Sequence, residues 1–64
     1  MEKFVIGVDI GATNLRVCLG DEKEIIIKKN VKTDRKIFLN QVISLIKDVS
    51  KGVNKNEIRG ISIG

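Results

Sequence analysis

The sequence predicts an α/β fold: a three-stranded antiparallel meander, a crossover helix, and a fourth strand running parallel to the first. Three observations carry that expectation. Short apolar or β-branched runs at about 3–10, 15–20 and 24–29 are separated by turns too brief to reach anything but an antiparallel neighbour. Apolar residues then recur at helical spacing across about 34–51. A last apolar run at about 58–63 follows that helix, where a right-handed crossover returns a strand in parallel to the sheet.

The first run, FVIGVDI, is apolar on both alternating faces: Phe4, Ile6, Val8 and Ile10 on one, Val5 and Gly7 on the other, with Asp9 at its end. Two-sided apolarity marks a central strand with both faces covered. The second run is LRVCL, the polar turn GDEK follows, and EIIIKK supplies the third strand. In the helix, Phe38, Val42, Leu45, Ile46 and Val49 form one stripe, and Ile37, Leu39 and Ile43 widen it towards a sheet. Thr33 or Asp34 is placed to cap its start, and Gly52 lies where a helix commonly stops. NKNE, residues 54–57, reads as a loop. One helix covers one face of such a sheet, so residues 1–64 are expected to be a portion of one larger domain. Taken as complete, the chain would need to oligomerise to hide the bare face.

Composition narrows the function classes. A chain of 64 residues forms one small domain, and such domains bury only about 60% of the surface that the unfolded chain exposes. Cys18 is alone and histidine is absent, which excludes a disulfide framework or zinc site within this sequence. Cys18, inside an apolar strand, reads as a small buried hydrophobe in a reducing compartment. No signal peptide and no membrane-length apolar run is evident, so a cytoplasmic location and no membrane partner are expected. The net charge is +4. The densest basic run, KKNVK at 28–32, carries no interleaved aromatic for base stacking, so no nucleic-acid partner is expected. The same charge suits a phosphate-bearing ligand.

The segment with chemistry in it is GVDIGATNLRVCLG, with the spacing D-x-G-x-T-x-x-R at Asp9, Gly11, Thr13 and Arg16. Gly11 allows a tight bend and leaves no side chain in a ligand's way. Consecutive amides in such a turn can form an anion-binding concavity. Thr13 and Asn14 add side-chain donors, and Arg16 adds a fixed positive charge. Asp9 would repel phosphate unless a cation accompanies it, and carboxylates hold Mg²⁺ while substrate phosphates complete its shell. The motif alone is compatible either with that site or with a structural turn whose aspartate accepts nearby amides. It is not a Walker loop, because no Gly-Lys-Ser/Thr is present and a strand follows.

The stretch GVDIGATNLRVCLGD resembles the amino-terminal phosphate motif of the actin-like ATPase superfamily, which has a ribonuclease H-like fold. Within it, the stretch is most similar to the ROK family (repressor, open reading frame, kinase), and IRGISIG is similar to that family's fourth strand. The resemblance implies an ATP- and Mg²⁺-dependent sugar kinase of glucokinase or hexokinase type, homodimeric when complete, with a sugar and a nucleotide as its partners. It implies that Gly11, Ala12, Thr13, Asn14 and Arg16 face the nucleotide phosphates and that Asp9 lies near the metal, through water. Ala12 stands where many members have glycine, which narrows the permitted backbone angles. No catalytic residue is expected in this chain: the family's base aspartate, sugar-binding segment and Cys/His zinc motif have no counterpart within it. A ROK repressor would need a helix-turn-helix before the motif, and only six residues precede Gly7. Another actin-like kinase or ATPase, or a non-catalytic nucleotide-binding module, is the alternative.

Overall fold

A computed structural model of the chain describes residues 3–64. Strand β1 (Phe4–Ile10) pairs antiparallel with β2 (Asn14–Gly20), which pairs antiparallel with β3 (Ile25–Lys32). Helix α1 (Phe38–Val49) and a single 3₁₀ turn (Lys55–Glu57) lead into β4 (Ile58–Ile63). β4 pairs in parallel with β1, giving the sheet order β3-β2-β1-β4 and leaving β1 and β2 central.

The strand pattern explains the core. Phe4, Ile6 and Val8 from β1 and Leu15, Val17 and Leu19 from β2 are buried on the helix side, and Val42, Leu45 and Val49 of α1 pack on them. Phe38 and Ile46 complete the helix stripe as partly buried neighbours, and Ile27 and Val31 do the same from β3. Burial of each such aliphatic side chain stabilises the fold by about 1.5–3 kcal/mol.

Four expectations need correction. Helix α1 begins at Phe38 rather than near 34, because residues 33–37 are otherwise engaged. The Thr33 hydroxyl donates to the Gly11 carbonyl at 2.9 Å, and the Asp34 carboxylate accepts the Lys36 amide at 3.0 Å. The first helical turn therefore has no side-chain cap, with Ile37 in the N-cap position. At the other end Ser50, not Gly52, stops the helix, its hydroxyl donating to the Ile46 carbonyl at 2.7 Å. Third, β3 extends past residue 29 to Lys32, so all of KKNVK is strand: the ladder to β2 continues as far as Asn14↔Lys32.

The fourth correction concerns the widened helix stripe. Ile37, Leu39 and Ile43 are exposed, at 47%, 62% and 51%. A helix is about 10 Å across and strands lie about 4.8 Å apart, so one helix covers roughly two strands. α1 lies on β2 and β3. Ile61 and Ile63 of β4, which pair with the helix-side residues Ile6 and Val8, are consequently exposed. Ile10, in the same row, is exposed as well. The opposite face carries Val5, Gly7 and Asp9 without a covering layer, so the two-sided apolarity of β1 is matched on one side. Residues 54–57 are a capped 3₁₀ turn: the Glu57 side chain accepts the Asn54 amide at 3.1 Å.

Candidate functional site

β1 and β2 meet at the turn Gly11-Ala12-Thr13, where three carbonyls find partners and two amides do not. The Gly11 amide donates to the Asn14 carbonyl at 3.0 Å, closing the hairpin. The Gly11 carbonyl accepts the Thr33 hydroxyl at 2.9 Å, and the Thr13 carbonyl accepts the Thr33 amide at 2.9 Å. The carbonyls of Gly11, Thr13 and Asn14 are thus engaged, and that of Ala12 has no partner among the described residues. The amides of Ala12 and Thr13 have no partner among the described residues, and both residues are exposed. Oriented amides of this kind leave a partial positive charge on the rim of the turn.

Gly11 has a specific steric reason. A Cβ there would lie 2.8 Å from the Asn14 carbonyl oxygen, the atom that closes the hairpin. The reason is not a left-handed conformation, since no residue among those described has positive φ. For the same cause Ala12 costs the turn nothing: its backbone lies where any residue is comfortable. The Thr13 hydroxyl accepts from the Asn14 amide group at 3.3 Å, so Asn14 steadies the turn's side chains.

Asp9 and Arg16 are direct cross-strand partners at the mouth of the hairpin, on the face away from α1, and both are exposed. They do not form an ion pair; among the described residues the ion pair is Lys51 to Asp48, at 3.7 Å. Carboxylate and guanidinium each keep their hydrogen-bonding capacity for a ligand. Both line one cavity of about 350 Å³ with Cys18, Lys28, Ser62 and Gly64. Cys18 is half-buried there, not part of the core as expected, because its strand neighbours Val17 and Leu19 take the helix side. Its sulfur packs against Gly7, where a Cβ would come within 3.0 Å of it. The parallel edge is fastened beside Asp9: Gly64 donates to the Val8 carbonyl at 2.8 Å, and Ile10 donates to the Gly64 carbonyl at 3.4 Å.

Of the residues expected from the sequence, Gly11, Ala12, Thr13 and Asn14 form the turn, and Asp9 and Arg16 flank it. No group of three or more acidic, cysteine or histidine side chains that could hold a metal occurs among the described residues. The donor set fits phosphate, and the single carboxylate fits a cation whose remaining ligands come from water and phosphate. Sequence reasoning missed Thr33, which was expected to cap the helix. Its partner lies 22 residues away, and nothing local announces that contact.

No family profile and no curated protein sequence matches the chain. Solved structures do. The Aquifex aeolicus Ppx/GppA phosphatase in its type II variant superposes with a TM-score of 0.61 at 17% identity, over 95% of this chain and 25% of that one. A second structure of the Aquifex aeolicus member of the Ppx/GppA family gives 0.62 at 17% identity, with the same coverage. The likeness bears out the expected α/β fold: an antiparallel meander, a crossover helix and a parallel fourth strand. The chain spans about a quarter of the length of the structures it matches. No helix among the described residues is long and apolar enough to cross a membrane.

Proposed function

We propose that this chain supplies the phosphate-binding hairpin of an ATP- and Mg²⁺-dependent phosphoryl-transfer enzyme, a sugar kinase of glucokinase or hexokinase type. One observation supports it above the others. The carbonyls of Gly11, Thr13 and Asn14 are engaged within the protein, while the exposed Ala12 and Thr13 amides are left without a partner a few residues along the chain from the unpaired Arg16. The sugar-kinase assignment rests on the similarity of GVDIGATNLRVCLGD to the ROK motif.

Each residue then has a task. The Ala12 and Thr13 amides and Arg16 bind and orient phosphate oxygens, and Gly11 keeps the rim clear of side-chain atoms. Fixed donors of this kind stabilise charge where it develops during transfer without reorganising. Asp9 would hold the metal through water; when bound, Mg²⁺ would supply positive charge to offset that of the phosphates. The hydroxyl of the sugar attacks the terminal phosphorus in line, the bond from that phosphorus to the bridging oxygen breaks and ADP leaves, and the hydroxyl proton passes to a base contributed from outside these residues. A homodimer and a cytoplasmic setting accompany this proposal.

A second function is favoured by a separate observation, the similarity to Ppx/GppA phosphatases. The same hairpin would then hold a phosphoanhydride while water, not a sugar, accepts the phosphoryl group. The two are separated by one assay on the protein encoded by the complete reading frame. It is incubated with Mg-ATP or inorganic polyphosphate, with and without glucose and a panel of other sugars. Sugar phosphate formed in step with ADP establishes the kinase. Phosphate released at the same rate without sugar establishes the phosphatase. Neither product would sink both.

A further inference from the structure

A second cation stands at the same turn, on the opposite face of the sheet from Arg16. Ile10, Gly11, Ala12, Thr33, Arg35 and Phe38 line a cavity of about 410 Å³. Phe38 packs against the buried cluster under α1, so this cavity is on the helix side. Arg16 projects from the other face, since β2 alternates with Leu15, Val17 and Leu19 buried towards the helix. The two cavities have no lining residue in common. Between them runs the rim that exposes the Ala12 and Thr13 amides.

Arg35 is held there by local structure. Thr33 is tied to the turn twice, through its amide to Thr13 and its hydroxyl to Gly11, each at 2.9 Å. Gln41, from α1, then fixes the next residues: its side-chain carbonyl accepts the Asp34 amide at 2.8 Å and its amide group donates to the Lys32 carbonyl at 2.9 Å. The Asp34 carboxylate, which could have paired with Arg35, instead accepts the Lys36 amide at 3.0 Å. The Arg35 guanidinium therefore makes no ion pair among the described residues, and Arg35 shares one cavity with Ala12, whose amide has no partner.

We propose that Arg35 is a second phosphate contact, and that the hairpin is built to take a chain of two or more phosphates, gripped by Arg16 on one face and Arg35 on the other. This deepens, and rests on, the function proposed above. A single phosphate cannot touch guanidinium groups approaching from opposite faces with the backbone between them. A di- or triphosphate laid across the rim can, with the Ala12 and Thr13 amides under its middle. Guanidinium suits the task because its planar fork bonds two phosphate oxygens at once.

The test is calorimetric titration of the complete protein with orthophosphate, tripolyphosphate, ADP and ATP. The variants are Arg35→Ala, Arg35→Lys and, as a control for net charge, Lys47→Ala on the exposed side of α1. Loss of one charge-assisted contact weakens binding about tenfold or more. Arg35→Ala is expected to lower affinity for tripolyphosphate, ADP and ATP by that factor while orthophosphate binding stays as in wild type. Arg35→Lys should recover part of the loss, and Lys47→Ala should change nothing. Equal wild-type affinity for tripolyphosphate and ATP would assign recognition to the phosphate chain alone; tighter ATP binding would assign it to a nucleotide. If wild type binds these ligands and Arg35→Ala binds them as well, Arg35 has no such role, though the phosphate-binding function stands. If wild type binds none of them, that function fails and the inference with it.

Discussion

Replacing Gly11 by alanine isolates the turn's geometry from its chemistry. The new Cβ would sit 2.8 Å from the Asn14 carbonyl oxygen, inside the 3.0 Å that Cβ atoms essentially never cross. That oxygen cannot simply rotate away, since it closes the hairpin by accepting the Gly11 amide. Relief costs that hydrogen bond, about 1 kcal/mol, or leaves about 1–3 kcal/mol of overpacking strain. Restricting the unfolded chain returns about 0.4–1 kcal/mol, so the net destabilisation is about 1 kcal/mol. With a urea slope near 1 kcal/mol per M, the unfolding midpoint falls by about 1 M. Gly60→Ala is the control: it lies in β4, where a Cβ meets nothing within 4 Å. Its midpoint should hold or rise. If Gly11→Ala is as stable as Gly60→Ala, the steric account of the turn is refuted.

Asp9→Asn should leave stability within about 0.5 kcal/mol, because the side chain is exposed and unpaired, yet lower turnover more than tenfold in a coupled assay; unchanged turnover would remove Asp9 from the metal's neighbourhood. Thr33→Val keeps the amide bond to Thr13 but strips the hydroxyl from the Gly11 carbonyl. It is expected to raise KM for the phosphoryl donor more than it lowers kcat, with Thr33→Ser restoring both; a fall in kcat alone would argue against a positioning role. The Lys23 amide and then the Glu24 amide, at 2.8 and 2.9 Å, hold the Asp21 carboxyl below the usual carboxylate range. A depressed carboxyl stabilises fully above its unfolded value and loses that contribution as pH falls through its folded value. The difference in melting temperature between wild type and Asp21→Asn should therefore shrink on acidification, and a difference that grows would reverse the sign.

What the sequence conveyed best was periodicity. Alternation in FVIGVDI and LRVCL and the stripe through Val42, Leu45 and Val49 survive folding because side-chain spacing alone decides which face is buried. The D-x-G-x-T turn was legible because its residues are neighbours in the chain. The helix start was not, since Thr33 and Asp34 have good capping chemistry but are claimed by Gly11 and Lys36. The width of the helix stripe misled in another way. Ile37, Leu39 and Ile43 are apolar, but periodicity says which residues could be buried, not how much sheet one helix spans. Cys18 shows the same limit: its composition suggests the core, and its parity on β2 puts it on the other face.

The mixed sheet also fixes an order of assembly. β1 meets β2, and β2 meets β3, across turns of a few residues, so closing those ladders orders little chain beyond the strands themselves. β4 must find β1 across some fifty residues, as in Phe4 with Ile58. Long-range parallel pairing is slow, since the entropy of closing the loop is lost before its contacts form. The meander with α1 on β2 is thus expected to form before β4 pairs with β1. Gly64 fastens that later pairing beside Asp9 through Val8 and Ile10. The scaffold of the hairpin turn belongs to the early unit, whereas the carboxylate's immediate surroundings are completed only when the edge has zipped shut.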